Sequence, residues 1–328
     1  MKKIIALLLI LVFSSSMLFS CKEKDDTPIK VGFLAGPTGI GMAKMIKDYG
    51  GVDADEQYSF TKYTAPDKAM VDLDAGIIDV ACVSTEIAAK FYNNGSDIQV
   101  LAINCLNSLC FLANDNVTLE SFEDLRGKTI YTSMQGTPKL ILKALLDRYN
   151  IDATIAHTIG EGDGAVTINS PDQIAPVILQ NKADIILAPV HVAYNALANP
   201  NAKHKIVFDL DSLWNSVYPN PMAMGCIVAR KEFIDEHPES IKNFLSEYRA
   251  SINYMADTAN NETAAQYVID ATILPNLGPA KNAILKLKDG IRYIGDDQMK
   301  DMLIQIYGVY GLNVIGGKLP DDGFYYHE

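Results

Sequence analysis

The chain has 328 residues, of which 48% are apolar and 21% are charged, and its formal net charge is −12. This is the composition of a folded globular protein, and the length is sufficient for two lobes with their own cores. The acidic balance excludes the usual nucleic-acid-binding classes, because such binding depends on neutralising phosphates, and no basic stripe with interleaved aromatic residues is visible.

The N-terminus has the three-part plan of a secretory signal peptide. Two lysines precede an apolar run over residues 4–13, which is too short for a membrane-spanning helix. Leu-Phe-Ser-Cys, ending at Cys21, resembles a bacterial lipobox; an ordinary signal peptide with a chance cysteine is the alternative. We therefore expect removal of residues 1–20, a lipid on Cys21, a polar tether over 21–28, and an extracytoplasmic protein anchored to a bacterial membrane.

Strand and helix patterns alternate along most of the remaining chain. The first patterns are a strand at 29–35, a helix at 41–48, a strand at 58–63, a helix at 66–75, a short buried strand, a helix at 85–92 and two further strands before residue 114. The plan repeats over residues 121–150 and 172–197, and one strand followed mostly by helices comes after Met222. Such alternation indicates an α/β fold with open, mainly parallel sheets, whose ligands bind beyond the carboxyl ends of the strands.

Two strand-to-helix turns in the first part of the chain are candidate ligand contacts. Their residues are Gly36, Pro37, Thr38 and Gly39 in the first turn, and Ser84 and Thr85 in the second. Glycines let the backbone approach a ligand, and no Gly-Lys-Ser/Thr follows, which excludes a Walker loop. Simple helix capping is the alternative. Glu86 either interacts favourably with the helix dipole or binds an amine or aminopyrimidine.

The second part of the chain supplies the remaining candidates. They are Gln135, Gly136, Thr137, His191 and Tyr218. Thr137 is a predicted N-cap with Pro138 at the first helical position, and capping alone is the alternative to ligand contact. His191 lies near a helix start, where it binds a ligand or is satisfied locally. Tyr218 could stack on a planar ligand with Trp214, or pack at a hinge.

The cysteines after the signal do not indicate a metal site. Cys82, Cys105, Cys110 and Cys226 lie in apolar, strand-like segments without zinc spacing. A disulfide between Cys105 and Cys110 and buried free thiols are both open. The acidic, glycine-rich loop at 160–173 lacks calcium-loop spacing, so we expect neither a metal nor a cofactor.

Three stretches in order resemble the solute-binding proteins of bacterial ABC importers, in the family that binds nitrate, sulfonates, taurine and thiamine-pyrimidine precursors. They are LRGKTIYTSMQGTPKLILKALL, VILQNKADIILAPVHVA and IVARKEFIDEHPESIKNFLSEYRASINYM. The resemblance implies a two-lobed periplasmic-binding-protein type II fold, each lobe a mainly parallel sheet flanked by helices. Lobe 1 would hold residues 29–113 and 219–328, and lobe 2 residues 114–218. Hinge crossings would lie near Ala113 and Tyr218, and ligand binding would close the cleft.

The resemblance also implies a function. We expect a monomeric, non-enzymatic lipoprotein that delivers a small molecule to an ABC permease and its ATPase. An enzyme of thiamine-pyrimidine synthase type and a sensor lipoprotein are the alternatives. Helix N-termini facing the cleft favour a sulfonate- or nitrate-like anion, whereas the lack of arginine in the candidate loops fits a pyrimidine-like heteroaromatic equally well.

Overall fold

The computed structural model describes residues 27–50, 57–208 and 210–328. The expected signal peptide, Cys21 and most of the tether lie outside the described residues. Within those ranges, no helix combines the length and the apolar character that a bilayer crossing requires.

The described strands form two large sheets and one small hairpin. The strands are β1 Ile29–Leu34, β2 Tyr58–Tyr63, β3 Val80–Ser84, β4 Ile98–Leu106, β5 Leu109–Asn114, β6 Thr129–Tyr131, β7 Thr154–Ala156, β8 Thr158–Ile159, β9 Val166–Thr167, β10 Ile185–Pro189, β11 His204–Phe208, β12 Ala223–Arg230 and β13 Ile291–Ile294. The first sheet has the order β13-β4-β12-β3-β1-β2, and the second has the order β11-β5-β10-β6-β7. Strands β8 and β9 pair only with each other.

Helices cover both sheets. They are α1 Pro37–Ile40, α2 Ala43–Tyr49, α3 Pro66–Asp74, α4 Thr85–Asn93, α5 Thr137–Arg148, α6 Ile174–Gln180, α7 Val190–Leu197, α8 Leu210–Asn215, α9 Lys231–Glu236, α10 Pro238–Ala256, α11 Asn261–Asp270, α12 Leu277–Leu287 and α13 Asp296–Tyr310. Proline stands in the first turn of α1, α3, α5 and α10, where its missing N–H costs nothing. The helix predicted at 41–48 corresponds to α2, and a further short helix, α1, precedes it from Pro37.

The α/β class and the two helix-flanked sheets agree with the sequence prediction, but the sheets are mixed. β1 pairs in parallel with β2 and β3, and β6 pairs in parallel with β7 and β10. β5 and β12 pair antiparallel with all their neighbours. These two are the strands by which the chain enters a new sheet, so no helical crossover sets them parallel to a preceding neighbour.

The chain crosses between the sheets at two places that touch each other. β4 belongs to the first sheet and β5 to the second, so the first crossing is at Asn107 and Ser108. The sequence predicted this crossing near Ala113, and the structure has it several residues earlier. At that point Asn107 adopts a left-handed φ of 50° and interrupts the apolar run. Asn107 donates its N–H to the Met222 carbonyl oxygen at 3.1 Å, and its Oδ1 accepts the Met222 N–H at 3.0 Å.

The four cysteines of the described ranges are free and buried. Cys105 and Cys110 do not form a disulfide, because the crossing at Asn107 separates them and each packs into a different apolar cluster. Burial raises the pKa of both thiols to about 12. These cysteines therefore serve as small apolar core residues.

Candidate functional site

The first candidate turn lies at the carboxyl end of β1 in the first sheet. α1 begins directly after Gly36, whose carbonyl oxygen accepts the N–H groups of Gly39 and Ile40 at 2.9 and 3.1 Å. Gly39 lies so close to the Leu34 carbonyl oxygen that a Cβ there would clash with the backbone. Pro37 has no N–H, so Thr38 supplies the free amide of this first turn.

Gly36 faces His191 from the other sheet. His191 is the second residue of α7, which follows β10. A Cβ added to Gly36 would lie 3.2 Å from His191 Nε2 and 3.3 Å from its Cε1. The turns at the carboxyl ends of one strand in each sheet thus meet at this contact. The pairing of these two candidate residues is direct.

His191 is neutral in this setting. The ring is half-buried, and its Nδ1 is buried without a hydrogen-bond partner. Burial lowers the pKa of His191 to about 4, because the charged form loses hydration and no counter-charge replaces it. At neutral pH the imidazole therefore offers one N–H donor and one nitrogen acceptor.

Thr38 is held by two residues that the sequence analysis missed. Asn104, in β4, is 1% exposed, and its Nδ2 donates to the Thr38 carbonyl oxygen at 3.3 Å and to the Tyr248 hydroxyl at 3.0 Å. Gly225, in β12, leaves the space that the Thr38 methyl group fills, so a Cβ there would clash with that methyl. In the sequence, a glycine inside the apolar strand β12 indicates that another part of the chain or a ligand approaches the backbone closely at that position.

The turn after β3 is tightly packed. Thr85 is fully buried, and its hydroxyl donates to the Ala223 carbonyl oxygen at 2.9 Å. Of the Ser84-Thr85 pair, only Ser84 is half-buried, and it lies opposite its register partner Gly225.

Glu86 is a buried carboxyl in the first turn of α4. It is 6% exposed, and burial raises its pKa to about 7, against the opposing effect of hydrogen bonds from its own N–H and the Ser84 hydroxyl. Its Oε2 is buried without a hydrogen-bond partner. Glu86 is therefore poised between the neutral and charged forms at neutral pH.

The turn before α5 differs from its prediction by one residue. Gly136, not Thr137, is the N-cap, and Thr137 is the first helical residue. Gly136 adopts a φ of 86°, which a threonine rarely adopts, and this places Pro138 second. Thr137 is 9% exposed and Gln135 is exposed. The Gln135 N–H donates to the Asn169 carbonyl oxygen, so this turn is braced within the second sheet.

Tyr218 lies in a separate groove. Its ring stacks on Trp214 at a centroid distance of 4.2 Å, and the Arg148 guanidinium lies 5.7 Å from the ring centre. The groove, about 500 Å³, runs between α5 and α13 and is lined by Ala144, Asp147, Arg148, Tyr218, Gln305, Gly308 and Val309. None of the other candidate residues lines it. Across the described residues, no group of three or more histidine, cysteine, aspartate or glutamate side chains could hold a metal ion.

Residues 60–261 match the family described as NMT1/THI5 like. A curated ATP phosphoribosyltransferase from Micrococcus luteus is 28% identical over 127 residues, which are 39% of this chain. The chain thus spans less than half, 43%, of that relative's length.

Several solved structures share the fold. An ABC transporter protein from Parabacteroides distasonis has a TM-score of 0.75 at 20% identity, covering 92% of this chain and 99% of that one. The periplasmic aliphatic sulphonate binding protein SsuA from Escherichia coli has a TM-score of 0.69 at 13% identity, with 92% of each chain covered. The periplasmic nitrate-binding protein NrtA from Synechocystis PCC 6803 has a TM-score of 0.54 at 15% identity, covering 74% and 66%. The fold is therefore that of type II periplasmic binding proteins.

Proposed function

The chain belongs to the NMT1/THI5-like family, and from this premise we propose that it is an extracytoplasmic solute-binding lipoprotein that delivers a small molecule to an ABC permease. The observation that carries the proposal is the approach of Gly36 to His191 across the two sheets. Two strand ends that meet in this way form the kind of crevice in which open α/β sheets bind ligands. The solved structures with this fold that are named above include a periplasmic sulphonate-binding and a periplasmic nitrate-binding protein, which supports the same proposal.

Each sheet with its helices would be one lobe, and the lobes would move about the two crossings. The first crossing is short, and its Asn107 is bonded twice to Met222 of the second. Movement would therefore concentrate at this one linked point, as in hinge closure around a ligand. With β5 in the second sheet, the proposed lobe boundary moves from residue 113 to the crossing at Asn107.

We assign the ligand contacts to both sides of the crevice. On the first side they are the backbone of Gly36, Pro37, Thr38 and Gly39, the Ser84 hydroxyl and the backbone of Thr85. On the second side they are Gln135, Gly136, Thr137 and His191. Tyr218 would instead pack at the hinge, because its ring is stacked on Trp214.

A ligand screen tests this function. We would record thermal unfolding of the purified chain with sulfonates, nitrate and thiamine-pyrimidine precursors, since a tight ligand raises the apparent stability by mass action. Closure should reduce the radius of gyration in small-angle scattering on ligand addition. His191→Ala and Thr137→Ala should weaken a hit at least tenfold, whereas His327→Ala, at an exposed histidine, should not. Unchanged affinity in both site variants would remove the site assignment.

The enzyme alternative has its own experiment. The family described as NMT1/THI5 like also includes thiamine-pyrimidine synthases, so a bound molecule could be a substrate. We expect any bound probe to be recovered chemically unchanged after prolonged incubation, as measured by mass spectrometry. Conversion of the probe at a rate that falls in His191→Ala would replace the transport proposal with a catalytic one.

Lipid anchoring is tested through Cys21. Expression of the full chain in a bacterium with labelled palmitate should give a labelled, membrane-bound protein. Cys21→Ser should lose the label and enter the soluble fraction, whereas Cys226→Ser, at a buried core thiol, should keep it. A labelled Cys21→Ser protein would contradict the proposed anchor.

A further inference from the structure

Two pairs of helices connect the proposed lobes. One pair is α7 from the second-sheet lobe with α12 from the first, and the other is α5 from the second-sheet lobe with α13 from the first. Both second-lobe helices start at candidate ligand contacts, since His191 is the second residue of α7 and Gly136 is the N-cap of α5. The two pairs are packed differently, and this difference bears on how the lobes move.

The contact between α7 and α12, which we call the α7–α12 seam, is closed by small apolar side chains. Val190 and Ala193 of α7, and Ala280 and Ala283 of α12, are each 0% exposed. All four belong to one continuous cluster of buried apolar residues. Small side chains at a helix contact let the two helix axes approach closely. Separation of the helices would expose these side chains to water, which the hydrophobic effect opposes.

Both helices of the seam are attached to the first crossing. The Val190 N–H, at the start of α7, donates to the Ser108 carbonyl oxygen at 2.9 Å. Just after the end of α12, the Gly290 carbonyl oxygen accepts the Leu106 N–H at 2.7 Å. Leu106 and Ser108 are the residues on either side of Asn107. The seam therefore begins at the crossing itself, where rotation of one lobe against the other displaces atoms least.

Two polar contacts also join the lobes along α12. Asn276 Nδ2, at the N-cap of α12, donates to Asn195 Oδ1 on α7 at 3.4 Å. Lys286 Nζ, near the other end of α12, lies 3.8 Å from Asp211 Oδ2 on α8 of the second-sheet lobe. The start of α12 thus lies near the later part of α7, and its end lies near the crossing from which α7 begins. The two helices are therefore antiparallel and linked at both ends.

The contact between α5 and α13 is more open. The groove of about 500 Å³ lies between these helices, and both Asp147 of α5 and Gly308 of α13 are exposed in its lining. A Cβ added to Gly308 would have no atom within 4 Å. The polar side chains of the groove have partners elsewhere, because Asp147 pairs with Lys143 on α5 and Gln305 bonds to the Asn220 backbone. These side chains therefore do not fix the separation of α5 from α13.

We propose that the lobes pivot on the α7–α12 seam, which slides without separating, and that the crevice opens and closes by movement of α5 relative to α13. This inference rests on the proposed binding function, because it requires that the lobes move. Sliding of packed helices is one of the ways in which domains close around ligands. His191, at the pivot, therefore stays near Gly36 in both states, while the turn at Gly136 and Thr137 travels.

Spin-label pairs test the pivot through the distribution of distances that double electron–electron resonance measures in the ligand-free protein. In a Cys21→Ser chain the four remaining thiols are buried, so labels attach to introduced cysteines. Asp147→Cys with Gly308→Cys spans the groove, and Asn195→Cys with Asn276→Cys spans the seam. Both pairs report on the same two lobes, so any difference between them locates the movement.

A control pair gives the width expected for a fixed distance. Val71→Cys with Glu239→Cys joins two exposed positions of the first lobe. We expect the groove distribution to be at least about twice as broad as that of the control, because collective domain motions populate several separations. The seam distribution should match the control. Ala198→Cys with Leu277→Cys, at two exposed positions near the outer end of the seam, repeats the measurement if the asparagine pair does not fold.

The outcomes separate the pivot from the binding function. A seam distribution as broad as that of the groove overturns the pivot, and so does a groove distribution as narrow as the control. A ligand found in the thermal screen together with three narrow distributions keeps the binding function and removes the pivot. A narrow seam and a broad groove without any ligand in that screen support the pivot and count against the binding function.

Discussion

The two sides of the proposed crevice are built differently. On the first-sheet side, Gly39 lies against the strand backbone, Thr38 fits the space at Gly225, and Asn104 is 1% exposed. On the second-sheet side, the turn before α5 carries an exposed Gln135 and a Met134 that is 43% exposed. The first side is therefore the more closely packed of the two, and under the proposed closure the second side would be the one to adjust.

The largest effect expected from this difference is a pH dependence of stability that originates in Glu86. Its pKa is raised from 4.5 to about 7 in the folded state, so the folded protein holds a proton that the unfolded chain releases. As the pH rises from 4.5 to 7, the free energy of unfolding therefore falls by about 3 kcal/mol. Below pH 4.5 both states hold the proton and this loss is absent. Glu86→Gln should therefore gain stability at pH 8 and little at pH 4, as measured by urea unfolding.

The control for Glu86 is Glu239→Gln. That carboxyl is exposed, so its replacement should shift the unfolding midpoint equally at both pH values. The same shift at pH 4 and pH 8 in Glu86→Gln would mean that the buried carboxyl does not titrate as the structure requires.

The next effect tests how rigid the first side is. In Gly225→Ala the new methyl group would collide with the Thr38 methyl and approach Asn104 Oδ1 to 2.8 Å. Overpacking of this kind costs about 2 kcal/mol, and we expect a lower melting temperature in calorimetry together with weaker ligand binding.

Gly308→Ala is the matched control for Gly225. Gly308 lies inside α13, and nothing lies within 4 Å of its added Cβ. The exchange should stabilise the protein by about 0.5–1 kcal/mol. A Gly225→Ala protein that is as stable as the parent would show that the first side can yield like the second.

A smaller effect, about 1 kcal/mol, is expected from His191 on the second side. Its pKa is lowered from 6.5 to about 4, so stability is present above pH 6.5 and is lost as the pH falls toward 4. The exposed edge of the ring reduces the size of the loss. His191→Gln should unfold with less acid sensitivity than the parent, and His327→Gln should not differ from it. Equal acid sensitivity in all three proteins would contradict the burial of the His191 ring.

Much of this architecture could be predicted from local patterns. The strand predicted at 58–63 is confirmed. The Gly-Pro-Thr-Gly turn indicated a close approach of the backbone, because glycine and proline favour turns through their own backbone conformations. The crossing at Asn107 could not be predicted, because two polar residues between apolar runs are also typical of a hairpin. Asn104 and Gly225 were missed because their roles depend on the pairing of β4 with β12, which is distant in sequence.

The smallest effect expected concerns Tyr218, which lines the groove between α5 and α13. Its ring packs on Trp214 with Arg148 nearby, so the aromatic face is already used for packing. Tyr218→Phe keeps that ring and should change both unfolding free energy and ligand affinity by less than about 0.5 kcal/mol. Tyr218→Ala should lose stability and leave affinity for the closed crevice unchanged. A Tyr218→Phe protein that folds normally but binds the ligand tenfold more weakly would place the phenol hydroxyl in the ligand site.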